Sequence, residues 1–178
     1  MSDYPDKPAP QSKNSVFKDV KCDLIADIPI LNIRTAGKTQ PKFDIVDEVL
    51  YHFRTNIFMR DFKIQSPADR LMIYLTFYAM RCLKMFGQKK TKDAAKRELE
   101  SWDLEAKFLI PGDSNFILAS LVSAPKSEAE KARLKDFFKV ARKETGKRLF
   151  EIVFKEATPD KWWVCFANRK FMDKELTN

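Results

Sequence analysis

Between Ser66 and Gly87 the chain carries a stretch too apolar to be left on a surface, and the remainder must arrange itself around it. Ser66, Pro67 and Asp69 form a helix start: a hydroxyl to cap orphan N–H groups, proline in the first turn, and an acid near the positive helix end. Gly87 reads as the matching stop. The apolar positions Leu71, Met72, Ile73, Tyr74, Leu75, Phe77, Tyr78, Met80, Leu83, Met85 and Phe86 occupy more than one face, so the helix is expected to be covered on several sides. It spans roughly 30 Å at 1.5 Å per residue. Its charge-free centre runs only from Leu71 to Met80, between Arg70 and Arg81, which is too short to cross a bilayer. This predicts the central helix of a soluble bundle.

The flanking sequence supplies the rest of that bundle. Residues 1–20 carry Pro5, Pro8 and Pro10 among polar residues, a composition expected to leave a loose arm. The run from Leu24 to Ile33 contains Pro29 and reads as an extended segment laid on the bundle. Gly37 to Lys42 is a loop. Asp44 caps a helix in which Ile45, Val46, Val49, Leu50, Phe53 and Ile57 recur at helical spacing, with Asp47, Glu48 and Arg54 on the other side. Thr91 with Asp93 opens a polar surface helix to about Trp102. Residues 103–125 break the pattern with Pro111, Gly112 and Pro125, and Phe116 to Val122 reads equally as a short strand or a short helix. Ser127 caps a helix buried through Leu134, Phe137, Phe138 and Ala141. Gly146 is expected to interrupt it, the chain bending there and resuming through Phe154. Pro159 opens the last element, from Lys161 to Met172.

The expectation is a mainly α, single-domain irregular helical bundle around a central buried helix, with an extended N-terminal segment. Residues 1–22 form a flexible arm and 23–178 one helical domain. A chain of 178 residues needs no covalent staple, because one of this size buries roughly 70% of its unfolded surface. Fifteen phenylalanines point to a thick core more than to a partner surface. The excess of 33 basic over 25 acidic side chains, a net +8, favours acidic partners: nucleic acid, anionic membrane or an acidic protein surface. Cys22, Cys82 and Cys165 are odd in number, widely spaced and without a CxxC, and no leader precedes them, which suggests an intracellular protein with reduced thiols.

Catalytic chemistry is hard to assemble from these residues. Gly37, Gly87, Gly112 and Gly146 never fall within one phosphate-binding window, so no nucleotide cofactor is expected. One histidine and three scattered cysteines do not offer the closely spaced ligands a metal site needs, so no metal is expected. A thiol enzyme would need Cys165 or Cys82 to meet His52 across the fold. Both cysteines, flanked by apolar residues, read instead as buried core, and His52 as a helix-surface or satisfied core residue. Asp47 and Glu48 diverge by about 100° on a helix and are no acid/base pair. No catalytic, cofactor or metal residue is expected.

Two basic features remain. Lys131, Arg133, Lys135, Lys139, Arg142, Lys143, Lys147 and Arg148 are interleaved with acids, and read as a solvated helical face before a nucleic-acid-binding one. Lys161, Trp162, Trp163, Arg169, Lys170 and Phe171 form a smaller basic-aromatic cluster, suited either to closing the core or to anchoring a partner. Lys161, Trp162, Trp163, Arg169 and Phe171 are the candidate partner-binding residues.

The segment D-I-V-D-E at 44–48, followed by Tyr51, Phe53, Asn56 and Phe58, then A-D-R at 68–70, I-Y at 73–74 and Tyr78, resembles the third, 21 kDa subunit of the actin-related protein 2/3 complex. The same family carries I-P-G, here Ile110 to Gly112, and K-W-W-x-C-F followed by F-M, here Lys161 to Phe166 and Phe171 to Met172. The likeness extends from about Pro29 to Leu176. It implies a mostly helical, non-enzymatic subunit of a seven-protein assembly that nucleates a branched actin filament from the side of an existing one. It further implies docking against the larger actin-related protein, help in holding the two actin-related proteins together, and contact with actin filaments through the complex. The implied location is the cytoplasm and its cortical actin structures, with no membrane or nucleic-acid partner. The alternative to be weighed is a basic helical nucleic-acid-binding module.

Overall fold

In the computed structural model of the chain, which describes residues 5, 7, 14–36, 41–89, 91–104 and 107–176, with the backbone alone at 103 and 104, the apolar stretch is a single helix. A 3-10 turn (Val16–Asp19) and a small hairpin, β1 (Leu24–Ile25) and β2 (Ile28–Pro29), precede α1 (Ile45–Asn56), α2 (Pro67–Gln88), α3 (Lys92–Leu104), α4 (Glu128–Val153) and α5 (Lys161–Val164). Helix α2 touches all four other helices as well as β2 and the 3-10 turn. Every residue from Leu71 to Met80 is buried, each large apolar side chain contributing about 1.5–3 kcal/mol relative to exposure. All phenylalanines except Phe58, Phe108 and Phe166 are buried as well, so the abundance of that residue is mostly core.

The helix starts follow the local chemistry. Asp44 and Ser66 each form a reciprocal capping box, with Asp47 and Asp69 respectively, while Ser127 accepts from the Glu130 N–H and Asp160 from the Trp162 N–H. The glycines do not behave as local breakers. Helix α2 runs through Gly87 to Gln88, and α4 runs unbroken through Gly146. A Cβ on Gly87 would lie 2.8 Å from Val164 Cγ1, and one on Gly146 would lie 2.8 Å from Leu99 Cδ1. Both glycines therefore serve close approach, to α5 and to α3, rather than a stop or a bend.

Residues 14–20, expected to belong to a loose arm, are pinned at the junction of α1 and α2. The Ser15 hydroxyl and the Val16 N–H donate to Glu48 at 2.6 and 2.8 Å, and the Ser15 N–H donates to Asp69 at 2.7 Å. Phe17 is buried and stacks on Phe43, ring centres 5.8 Å apart. Glu48, expected to face outward, is thus fully buried, as are His52 and Asn56 one and two turns on. Burial raises the Glu48 carboxyl above its usual range in spite of the Ser15 and Val16 hydrogen bonds, and the nearby Asp69 charge adds to the rise. Residues 37–40 of the expected loop lie outside the described residues.

The basic run on α4 is not one solvated face. Arg142 is 6% exposed, its guanidinium 4.5 Å from the ring centres of both Tyr78 and Phe108, and it donates to the Tyr74 hydroxyl at 3.3 Å. Arg148 reaches back to the start of α1, donating to both Asp44 oxygens at 2.7 and 2.8 Å, to Asp47 at 2.9 Å and to the Arg34 carbonyl at 2.6 Å. Residues 116–122 form neither strand nor helix but consecutive turns, with Arg70 donating to the Leu121 carbonyl at 2.8 Å.

Two tight turns carry paired left-handed residues, Ala26 with Asp27 at φ 53° and 62°, and Met172 with Asp173 at φ 50° and 55°. Both connect two-residue hairpins, which favour such type I′ geometry and prefer glycine there. Asp173 is exposed, with Phe171 and Lys174 paired on either side. Asp173→Gly is expected to raise stability by roughly 0.5–1 kcal/mol by relieving that backbone strain. An unchanged or lower urea midpoint would contradict this.

Candidate docking surface

Helix α5 is short, and its two tryptophans point in opposite senses. Trp163 is 9% exposed; its ring lies 5.8 Å from Phe53 at 28°, under the Arg54 guanidinium at 4.6 Å. Trp162 is 66% exposed, with the Lys161 ammonium 5.3 Å from its ring centre. The next turn brings Phe166 edge-on to both Phe53 and Phe58, at 6.2 and 5.9 Å. Arg169 sits 5.7 Å over Phe58, which is 60% exposed. Phe171 is buried against Phe77 at 5.1 Å.

The five candidate residues are thus divided by the fold. Lys161, Trp162 and Arg169 present to solvent, whereas Trp163 and Phe171 are part of the core and act only by supporting the surface above them. Phe58 and Tyr51, both exposed, were not among the candidates. The signal was present: Tyr51, Arg54 and Phe58 follow i, i+3, i+7 spacing, off the register of the core residues Val46, Val49, Phe53 and Ile57. Two exposed aromatic-basic groups result, Trp162 with Lys161 and Phe58 with Arg169. Their rigid rings offer large contact area at small entropic cost, and their charge favours an acidic partner.

Cys165, expected in the core, is exposed beside Trp162, its thiol 3.5 Å from the Trp162 carbonyl, because the turn after α5 directs Phe166 inward in its place. Cys82 is buried. His52 is buried and its Nε2 has no hydrogen-bond partner among the described residues; burial lowers its pKa, favouring the neutral ring. Among the described residues no group of His, Cys, Asp or Glu is placed to hold a metal ion, and no helix is long and apolar enough to cross a membrane.

A helical scaffold that exposes aromatic and basic side chains has the makeup of a protein that works within an assembly. The chain belongs to the family of the ARP2/3 complex ARPC3 (21 kDa) subunit, P21-Arc, whose family model matches residues 10–176. It is 42% identical over 135 residues to the probable actin-related protein 2/3 complex subunit 3 of Caenorhabditis elegans, covering 75% of this chain and 74% of that one. It is 37% identical over 161 residues to subunit 3 of the same complex from Dictyostelium discoideum, covering 86% and 91%. The Arabidopsis thaliana subunit is 40% identical over 135 residues, covering 75% and 77%. The chain is accordingly a non-catalytic structural subunit of the actin-related protein 2/3 complex, associating with other subunits of that complex.

Proposed function

We propose that this chain docks on the larger actin-related protein of its complex through Trp162, Lys161, Arg169 and Phe58, and so helps hold the two actin-related proteins together. Actin filaments are engaged through the complex as a whole, which places the chain in the cytoplasmic actin cytoskeleton. The observation that supports this reading best is Trp162, two-thirds exposed on a capped helical turn that its buried neighbour Trp163 locks to the core. A large rigid ring presented this way is the typical anchor of a protein interface. The nucleic-acid alternative is not supported, since two arginines of the basic run, Arg142 and Arg148, are turned inward.

Trp162→Ala tests this directly. The exposed ring contributes little to folding, so the unfolding free energy measured in urea should change by no more than about 0.5 kcal/mol. Retention by the remaining subunits should weaken by about 30-fold or more, the equivalent of a 2 kcal/mol anchor. Undiminished retention would reject Trp162 as an anchor.

A further inference from the structure

Helix α4 sorts its cations by type. Its arginines are all engaged within the chain: Arg133 with Asp23, Arg142 with Tyr74 and two aromatic rings, and Arg148 with Asp44 and Asp47. Its lysines make no ion pair among the described residues. Lys131, Lys135, Lys139, Lys143 and Lys147 recur at every fourth position, and all five are exposed. The ion pairs that α4 makes among the described residues use Arg133, Glu144 and Arg148, and none of these lysines. Four residues of helix rise about 6 Å and advance about 40°, so the row runs about 24 Å while winding about 160° round the axis, and its central members Lys135, Lys139 and Lys143 share one side.

We propose that this lysine row is a second contact, complementary to an acidic folded surface on a neighbouring subunit of the complex. The proposal rests on the family reading but not on the Trp162 anchor. Exposed lysines are compact, strongly hydrated point charges that suit an interface rim, in place of the planar bidentate pairing arginine makes with carboxylate or phosphate. Two features then favour a protein face over nucleic acid or lipid. No aromatic ring of α4 is exposed, which leaves nucleic-acid bases without a stacking platform. Val140, 40% exposed, is the one large apolar group that α4 exposes among the described residues, too little to insert into a lipid surface. Rim charges of this kind act mainly on encounter rate and orientation.

The test compares the wild-type chain with two triple variants, Lys135→Glu/Lys139→Glu/Lys143→Glu and the corresponding Lys→Arg set, for association with the remaining subunits at about 0.05 to 0.3 M salt. The wild-type association rate should fall as salt rises. The glutamate variant should associate about tenfold slower or worse at low salt and lose that salt dependence, while the arginine variant behaves as wild type. Melting temperatures should agree within about 3 °C, since all three positions are exposed. A glutamate variant that associates at the wild-type rate with the wild-type salt slope overturns the proposal. So does one that associates normally but loses retention of duplex DNA or of vesicles containing phosphatidylserine, reassigning the row to those partners. A wild-type chain that fails to associate at all would instead remove the family-level reading, and Trp162→Ala is distinguished by acting on dissociation.

Discussion

Replacing Arg148 with methionine is expected to cost about 3–5 kcal/mol at neutral pH, because it leaves the Asp44 carboxylate buried without its cation. Asp44 is 0% exposed and Arg148 only 12% at the side chain. Burial by itself would raise the Asp44 carboxyl. The Arg148 hydrogen bonds and charge, with the Arg34 and Asp47 N–H groups, outweigh burial and hold it below the usual aspartate range. In the wild-type chain this pair therefore contributes stability above the ordinary aspartate pKa, and the contribution is lost as pH falls through the depressed folded value. Without the guanidinium, burial prevails and the folded pKa moves upward, so the variant loses stability as pH rises through the same region. The gap between the two proteins, read from urea unfolding, should be widest near neutrality and should close below the ordinary aspartate pKa. A gap that stays constant with pH would mean that Arg148 acts by packing alone.

Phe53→Ala should be comparably damaging, at about 3–5 kcal/mol, and should reach the docking surface as well. Phe53 is fully buried, and the rings of Trp163 and Phe166 both rest on it. Removing it takes away the floor beneath α5. Tryptophan fluorescence of the folded variant should shift to the red as Trp163 gains water, and the Phe53→Leu variant should recover most of the loss. An alanine variant that loses less than about 1 kcal/mol would show that the site collapses onto other neighbours.

What could be read from sequence divides along a physical line. Features decided within one turn of chain were legible: the caps at Asp44, Ser66 and Ser127 and the many-sided apolar helix α2 all stand as expected, whereas the last element, expected to run from Lys161 to Met172, is helical only from Lys161 to Val164, capped by Asp160. Features decided by distant partners were not. Gly87 and Gly146 look like breakers because glycine has no side chain, yet what matters is Val164 and Leu99 filling the space a Cβ would take. Arg142 and Arg148 look solvated because a lysine-rich helix surrounds them, while their partners lie 68 and 104 residues away. The residues from Lys161 to Phe171 read as one cluster in the sequence but are divided by the fold, because consecutive side chains diverge and which tryptophan faces out depends on the position of Phe53.

The bond between Asp44 and Arg148 also bears on the order in which the chain is completed during synthesis. The two residues are 104 positions apart, so the acid leaves the ribosome long before its cation exists. Sequestering that charge alone would be unfavourable by several kcal/mol, so the leading end of α1 is expected to stay hydrated on the nascent chain until the final turns of α4 arrive.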